Sequence, residues 1–303
     1  MRFVSTKVIL VLSVVISLSF GGICSEITLK KQQLNGVEIA WAEAGDPTGP
    51  PILMIHGLMV SHDMWPDPFI EGLVENGYRV IVFDNRDVGQ SQRLDHHGNP
   101  VIWWNLLKAK IGLAVTAPYT LYDMADDAVA LLDVLNIKDA HIMGASMGGM
   151  IAQIIAAKNP ERARSLISIM STTSAPHLPK ASEKSSSTME GLLDPTPERR
   201  KELNEIGMYP SALPRQFMAI LSTGDRSNLV STITANTLVI HGKDDTLLPI
   251  AHGEHTAELI AGSEFIAVDG MGHDMKDKAT QIVLKAIKKH IVEVETFGMA
   301  ISE

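Results

Sequence analysis

The sequence predicts an α/β fold: a mainly parallel sheet with helices on both faces and a small helical cap inserted late in the chain. Short apolar runs of strand length alternate with longer stretches of helical composition, the signature of successive βα units. Several runs are apolar at every position, as strands covered on both faces must be. The chain of 303 residues suits one large domain of this kind, with room for an inserted subdomain.

Residues 1–24 come first and read as a secretory signal peptide. Arg2 and Lys7 supply a positive start, residues 8–20 are apolar apart from serines, and Gly21-Gly22 follow as small residues. The run is short for a membrane span, which needs roughly 20 apolar residues. The expected location is secreted or periplasmic, with an uncleaved N-terminal anchor as the alternative. After cleavage no stable membrane association is expected. Cys24 is the sole cysteine, so no disulfide can form within the chain.

Residues 25–303 form the predicted domain. Residues 37–41 alternate as a half-buried strand, and residues 51–55 are a continuous apolar run ending at His56-Gly57. Further strands are expected at 79–83, 140–143, 165–170, 237–240 and 264–268. Helices are expected at 69–76, 121–135, 147–158, 250–260 and 279–292. Two stretches break the alternation. Residues 94–120 carry Trp103-Trp104, and residues 171–213 hold a serine-rich run and several prolines. Unpatterned loops of this length are usually lids or binding loops, so the second is expected to form the cap. Within it, residues 180–188 are expected to be a solvated, disordered loop.

Gly144-Ala145-Ser146-Met147-Gly148 lies between an apolar run and a helical segment. Strand, sharp turn and helix with serine at the apex form the nucleophile-elbow pattern. A serine hydroxyl needs a base to remove its proton and a carboxylate to orient that base. Among eleven histidines, His273 stands out because Gly270-Met271-Gly272-His273 follows directly on a strand, where ligand-facing residues of open sheets gather. His252 and His255 are read as a solvated helix face. Asp244 and Asp245 both follow the strand 237–240, and the frame Gly242-x-x-Asp245-x-x-x-Pro249 favours Asp245. The backbone N–H groups of Leu58 and Met147 are the expected oxyanion donors, one after the second strand run and one after the serine.

With elbow, oxyanion turn, acid loop and histidine loop in this order, the chain resembles the α/β-hydrolase fold superfamily from about residue 35 to 291. Phe83-Asp84-Asn85-Arg86-Asp87-Val88-Gly89-Gln90-Ser91, Tyr119-Thr120-Leu121 and Ile169-Met170-Ser171-Thr172-Thr173 narrow the likeness. They are similar to a bacterial group that includes the aclacinomycin methylesterase type, which cleaves a carboxylic methyl ester. The resemblance implies an eight-stranded sheet with one antiparallel strand, no cofactor and no metal, and Ser146, Asp245 and His273 as nucleophile, acid and base. Most relatives carry glycine where this chain has Asp87. That aspartate is expected to bind nearby backbone amides as a turn residue, with Arg86 as its ion-pair partner.

The resulting expectation is a serine esterase for small or medium substrates. Carbon–carbon bond hydrolysis, cofactor-free perhydrolysis or non-catalytic ligand binding are the alternatives. Met59, Met170, Leu248 and Trp103 are candidate pocket residues, although methionines also serve as adaptable core fillers. The net charge of −9 and the lack of a basic stripe exclude nucleic acid as a partner.

Overall fold

The computed structural model describes residues 29–302, so the expected leader at 1–24 lies outside the described residues. Strands β1 (Lys30–Leu34), β2 (Val37–Ala44), β3 (Pro51–Ile55), β4 (Arg79–Phe83), β5 (Ala140–Ala145), β6 (Ala163–Ile169), β7 (Asn236–Gly242) and β8 (Glu264–Val268) join in one sheet. Their order is β1-β2-β4-β3-β5-β6-β7-β8. β2 pairs antiparallel with both β1 and β4, and the remaining pairs are parallel.

The helices are α1 (Asp67–Val74), α2 (Ile102–Lys110), α3 (Leu121–Val134), α4 (Met147–Lys158), α5 (Glu183–Leu193), α6 (Pro197–Glu205), α7 (Leu213–Thr223), α8 (Ser227–Val230), α9 (Ala251–Leu259) and α10 (Asp277–Ser302). Period-two alternation in the central strands divides the core into two layers. Leu53 and Ile55 of β3 pack with Leu131 of α3 and Ile151 of α4. Ile52 and Met54 face the other way, against Phe69 and Leu73 of α1 and Ile287 of α10. A capping box starts α3: Thr120 Oγ1 accepts from the Asp123 N–H, and the Thr120 N–H donates to Asp123 Oδ2 at 2.7 Å.

The structure departs from the sequence reading in three places. β1 was not expected, because Lys-Lys-Gln-Gln-Leu is an edge strand that buries only Leu34. The stretch 94–120 contains α2, whose apolar residues face outward and so give no core-facing signal. The insertion between β6 and β7 extends past residue 213 and includes α5, α6 and α7. Residues 183–188, expected to be disordered, begin α5, where Ser182 Oγ caps the helix by accepting from the Ser185 N–H.

Candidate active site

The sheet order changes direction at β3: β4 lies on one side of it and β5 on the other. Crevices form beyond the strand ends at such a point. Two loops meet there. After β5 the chain turns through Ser146 into α4, and after β3 it turns through Gly57 and Leu58. A Cβ placed on Gly57 would stand 3.2 Å from Ser146 Cβ, so the two turns are in contact.

Ser146 has φ +56° and ψ −120°, a region that L residues rarely adopt. Its neighbours make the turn possible. A Cβ on Gly144 would come 2.1 Å from the Gly148 carbonyl oxygen, and one on Gly148 would come 2.0 Å from the Ile55 carbonyl oxygen. The turn is held by backbone groups: the Ser146 N–H donates to Ile169 O at 2.9 Å, and Ser171 Oγ donates to Ser146 O at 2.8 Å. Fixing the backbone this way leaves the hydroxyl free of structural duty.

The Ser146 hydroxyl lies 2.9 Å from His273 Nε2, and His273 Nδ1 lies 2.7 Å from Asp245 Oδ2. With Nδ1 protonated, the ring donates to the carboxylate and can accept from the serine. The other carboxylate oxygen, Asp245 Oδ1, accepts from the Leu247 and Leu248 N–H groups at 2.9 and 2.8 Å. Burial alone would raise the Asp245 pKa. Hydrogen bonds from His241 and His273, the His273 charge and the Leu248 amide outweigh it and hold the carboxyl well below the usual range. Asp244 is exposed on the adjoining turn, so of the two aspartates Asp245 is the one joined to the histidine.

Among the described residues, neither the Leu58 N–H nor the Met147 N–H donates to a protein acceptor. Two unpaired donors therefore sit beside the serine. The Leu58 turn is braced from both sides. His56 Nδ1 accepts from the Gly57 N–H at 2.8 Å, and Gln216 Oε1 on α7 accepts from the Met59 N–H at 2.8 Å. Gln216 Nε2 also donates to Arg86 O at 2.9 Å. Sequence reasoning missed Gln216, since nothing in a helical stretch reveals a contact 157 residues away. It also passed over His241, which ends an apolar run and so carried a signal. His241 Nε2 donates to Leu248 O at 2.7 Å, while its Nδ1 is sealed against Gly253 of α9, where a Cβ would approach it to 2.6 Å.

The four candidate pocket residues do not form one group. Leu248 is partly buried beside Asp245, and Met59 is buried in the Leu58 turn. Met170 packs with Met54, Val268 and Met271 in the core layer under α1 and α10, as an adaptable filler. Trp103 stands on the outer face of α2, 68% exposed, because the inward position of that helix is taken by Asn105. Asp87 departs from expectation in its partner. Its Oδ1 accepts from the Leu94 N–H at 2.7 Å, as a turn residue should, but its ion pair is with Arg215 of α7. Arg86 instead forms a bidentate pair with Asp127 of α3.

Buried histidines make folding pH-dependent. Burial lowers the pKa of His56 to about 4 and also lowers those of His252 and His290 from the ordinary 6.5. Burial opposes charge on His62 too, but its hydrogen bond to Asp84 prevails and raises its pKa. Between about 6.5 and about 4 the unfolded chain thus binds protons that folded His56, His252 and His290 refuse, and stability falls as pH falls. His62 acts with the opposite sign, one group against three. The urea midpoint is expected to be lower at pH 5 than at pH 7, and a higher midpoint at pH 5 would contradict this account.

Fold and site together define an α/β hydrolase. The family model described as alpha/beta hydrolase fold matches residues 50–206, and the chain belongs to that family. It is similar to the rhodomycin D methylesterase DnrP of Streptomyces peucetius, with 27% identity over 82% of this chain and 94% of the relative. It is also 24% identical to a 2-hydroxy-6-oxononadienedioate/2-hydroxy-6-oxononatrienedioate hydrolase of a Pseudomonas species, over 87% of this chain and 96% of that protein. Among solved structures, a hydrolase from Pseudomonas aeruginosa PA01 superposes with a TM-score of 0.67 at 21% identity, covering 88% of this chain and 98% of its own.

Proposed function

We propose that the protein hydrolyses carboxylic esters of small to medium size through an acyl-enzyme on Ser146. The observation that carries this reading is the unbroken hydrogen-bonded line from the Ser146 hydroxyl through His273 to Asp245. His273 accepts the serine proton as Oγ attacks the ester carbonyl, then donates it to the departing alkoxide. Water, deprotonated by the same nitrogen, then attacks the acyl-enzyme, and that proton passes from His273 to Ser146 Oγ as the acid leaves. Asp245 holds the imidazole in the required tautomer and offsets its transient charge. The Leu58 and Met147 N–H groups receive the negative oxygen of each tetrahedral intermediate. The methylesterase relatives support an ester as substrate.

The test is a series of p-nitrophenyl esters from acetate to palmitate, run beside a vinylogous diketone of the ring-cleavage type. Turnover of short or medium esters, with little on the diketone, is the expected outcome. Turnover of the diketone alone would replace ester hydrolysis with carbon–carbon cleavage. No turnover of either by folded protein would point to ligand binding.

A further inference from the structure

Helix α2 is built inside out. Of its nine residues only Asn105 is buried, while Trp103, Trp104, Leu106 and Leu107 are exposed. Val101 before the helix and Ile111 and Leu113 after it continue the exposed apolar surface. Scattered exposed apolar residues are ordinary, but a contiguous patch marks a place of contact.

The inner side of α2 is firmly attached, so the patch is not a loosely placed segment. Asn105 ties the helix to its own flanks: its Nδ2 donates to Val101 O, and its Oδ1 accepts from the Thr116 N–H, both at 3.1 Å. The helix rests on α7, and Arg215 of α7 donates to Asn99 Oδ1 at 2.7 Å just ahead of it. A polar residue buried beneath and apolar side chains exposed above is the reverse of a helix serving a soluble core.

Charge indicates the occupant. The chain carries a net charge of −9, yet residues 96–122 contain Lys108 and Lys110 and no acidic residue. Both lysines lie in the last turn of α2, beside the apolar surface. Paired tryptophans with leucines and flanking lysines match the chemistry of a bilayer interface, where indole rings sit at headgroup level and cations meet anionic lipid. A nine-residue helix is too short to span the hydrocarbon layer, so such a contact lies in the interface plane.

We propose that α2 docks this protein on an anionic lipid surface, reversibly and in the interface plane. This revises the expectation, drawn from sequence, that no membrane association persists once a leader is removed. It does not depend on the ester-hydrolase reading, since binding requires no turnover.

Tryptophan fluorescence gives a direct readout. The chain has four tryptophans, of which Trp41 and Trp65 are 6% and 2% exposed while Trp103 and Trp104 are 68% and 46% exposed. Full-length protein is titrated with phosphatidylglycerol–phosphatidylcholine vesicles and with phosphatidylcholine vesicles, beside the double variant Leu107→Asp, Ile111→Asp. Expected are co-sedimentation with the anionic vesicles, a blue shift of emission, and partitioning at least about tenfold weaker in the double variant. Both proteins should melt at the same temperature, because the altered side chains are exposed. Because residues 1–28 contain no tryptophan, binding through them alone would leave emission unshifted and the double variant unimpaired, and would overturn the proposal. So would an absence of binding to either vesicle, or a dimer in solution that the double variant dissolves.

Discussion

Ser146→Ala is expected to lower kcat by about 10^6-fold, with folding and KM nearly unchanged. In the proposed mechanism the side chain carries the nucleophilic oxygen, whereas the hydrogen bonds that shape its turn use the Ser146 backbone N–H as donor and C=O as acceptor. Alanine keeps both. The Leu58 and Met147 amides, the proposed oxyanion donors, also remain, so a residual rate about 10^3–10^4-fold above that in water should persist. His273→Ala should cost a similar factor, and combining the two should add little, since the residues act as a unit. Steady-state kinetics on the best p-nitrophenyl ester, with thermal melting as a folding control, provide the measurement. Activity within tenfold of the parent would mean that another residue is the nucleophile.

Asp87→Asn is expected to destabilise the fold by about 3–5 kcal/mol, the cost of leaving a buried charge without its partner. One carboxylate here receives four donors: the Leu94 N–H and Arg215 Nη2 on Oδ1, the Tyr119 hydroxyl and Arg215 Nε on Oδ2. Arg215 is 1% exposed, and its other carboxylate contact is Asp95, which is half exposed. Asparagine preserves shape and tolerates the φ of +70° at this position, so the loss would report charge and hydrogen bonding rather than backbone strain. Adding Arg215→Met should recover part of the stability, since the buried cation left with only the half-exposed Asp95 is then gone. Urea unfolding of the single and double variants measures both effects. A single variant within about 1 kcal/mol of the parent would show that the pair is dispensable.

The hydrogen-bonded meeting of Ser146, His273 and Asp245 was legible in the sequence because each follows a strand that is itself legible. The turn carrying Leu58 was legible for the same reason. Contacts across long separations were not. Asp87 has a cation immediately beside it in Arg86, and local reasoning pairs the two. The fold takes Arg86 to Asp127 and brings Arg215 across 128 residues to fill the place. Gln216 was hidden likewise, since its value lies in reaching the Met59 amide and the Arg86 carbonyl at once. β1 and α2 escaped notice because periodicity reveals only elements that turn an apolar face to the core. β1 has almost none, and α2 turns its apolar face away.

The inserted helices are secured unevenly. α7 buries Leu213, Arg215, Gln216, Met218 and Ala219, whereas α6 buries only Leu203 and α5 buries nothing. Most substitutions on exposed helical surface change stability by no more than about 0.5 kcal/mol. α5 and α6 can therefore drift in sequence at small cost to folding, while α7 is constrained by the charge pair and the amide bridge it carries. Selection thus has a tolerant outer region, above a base where change would also disturb the turn beside Ser146.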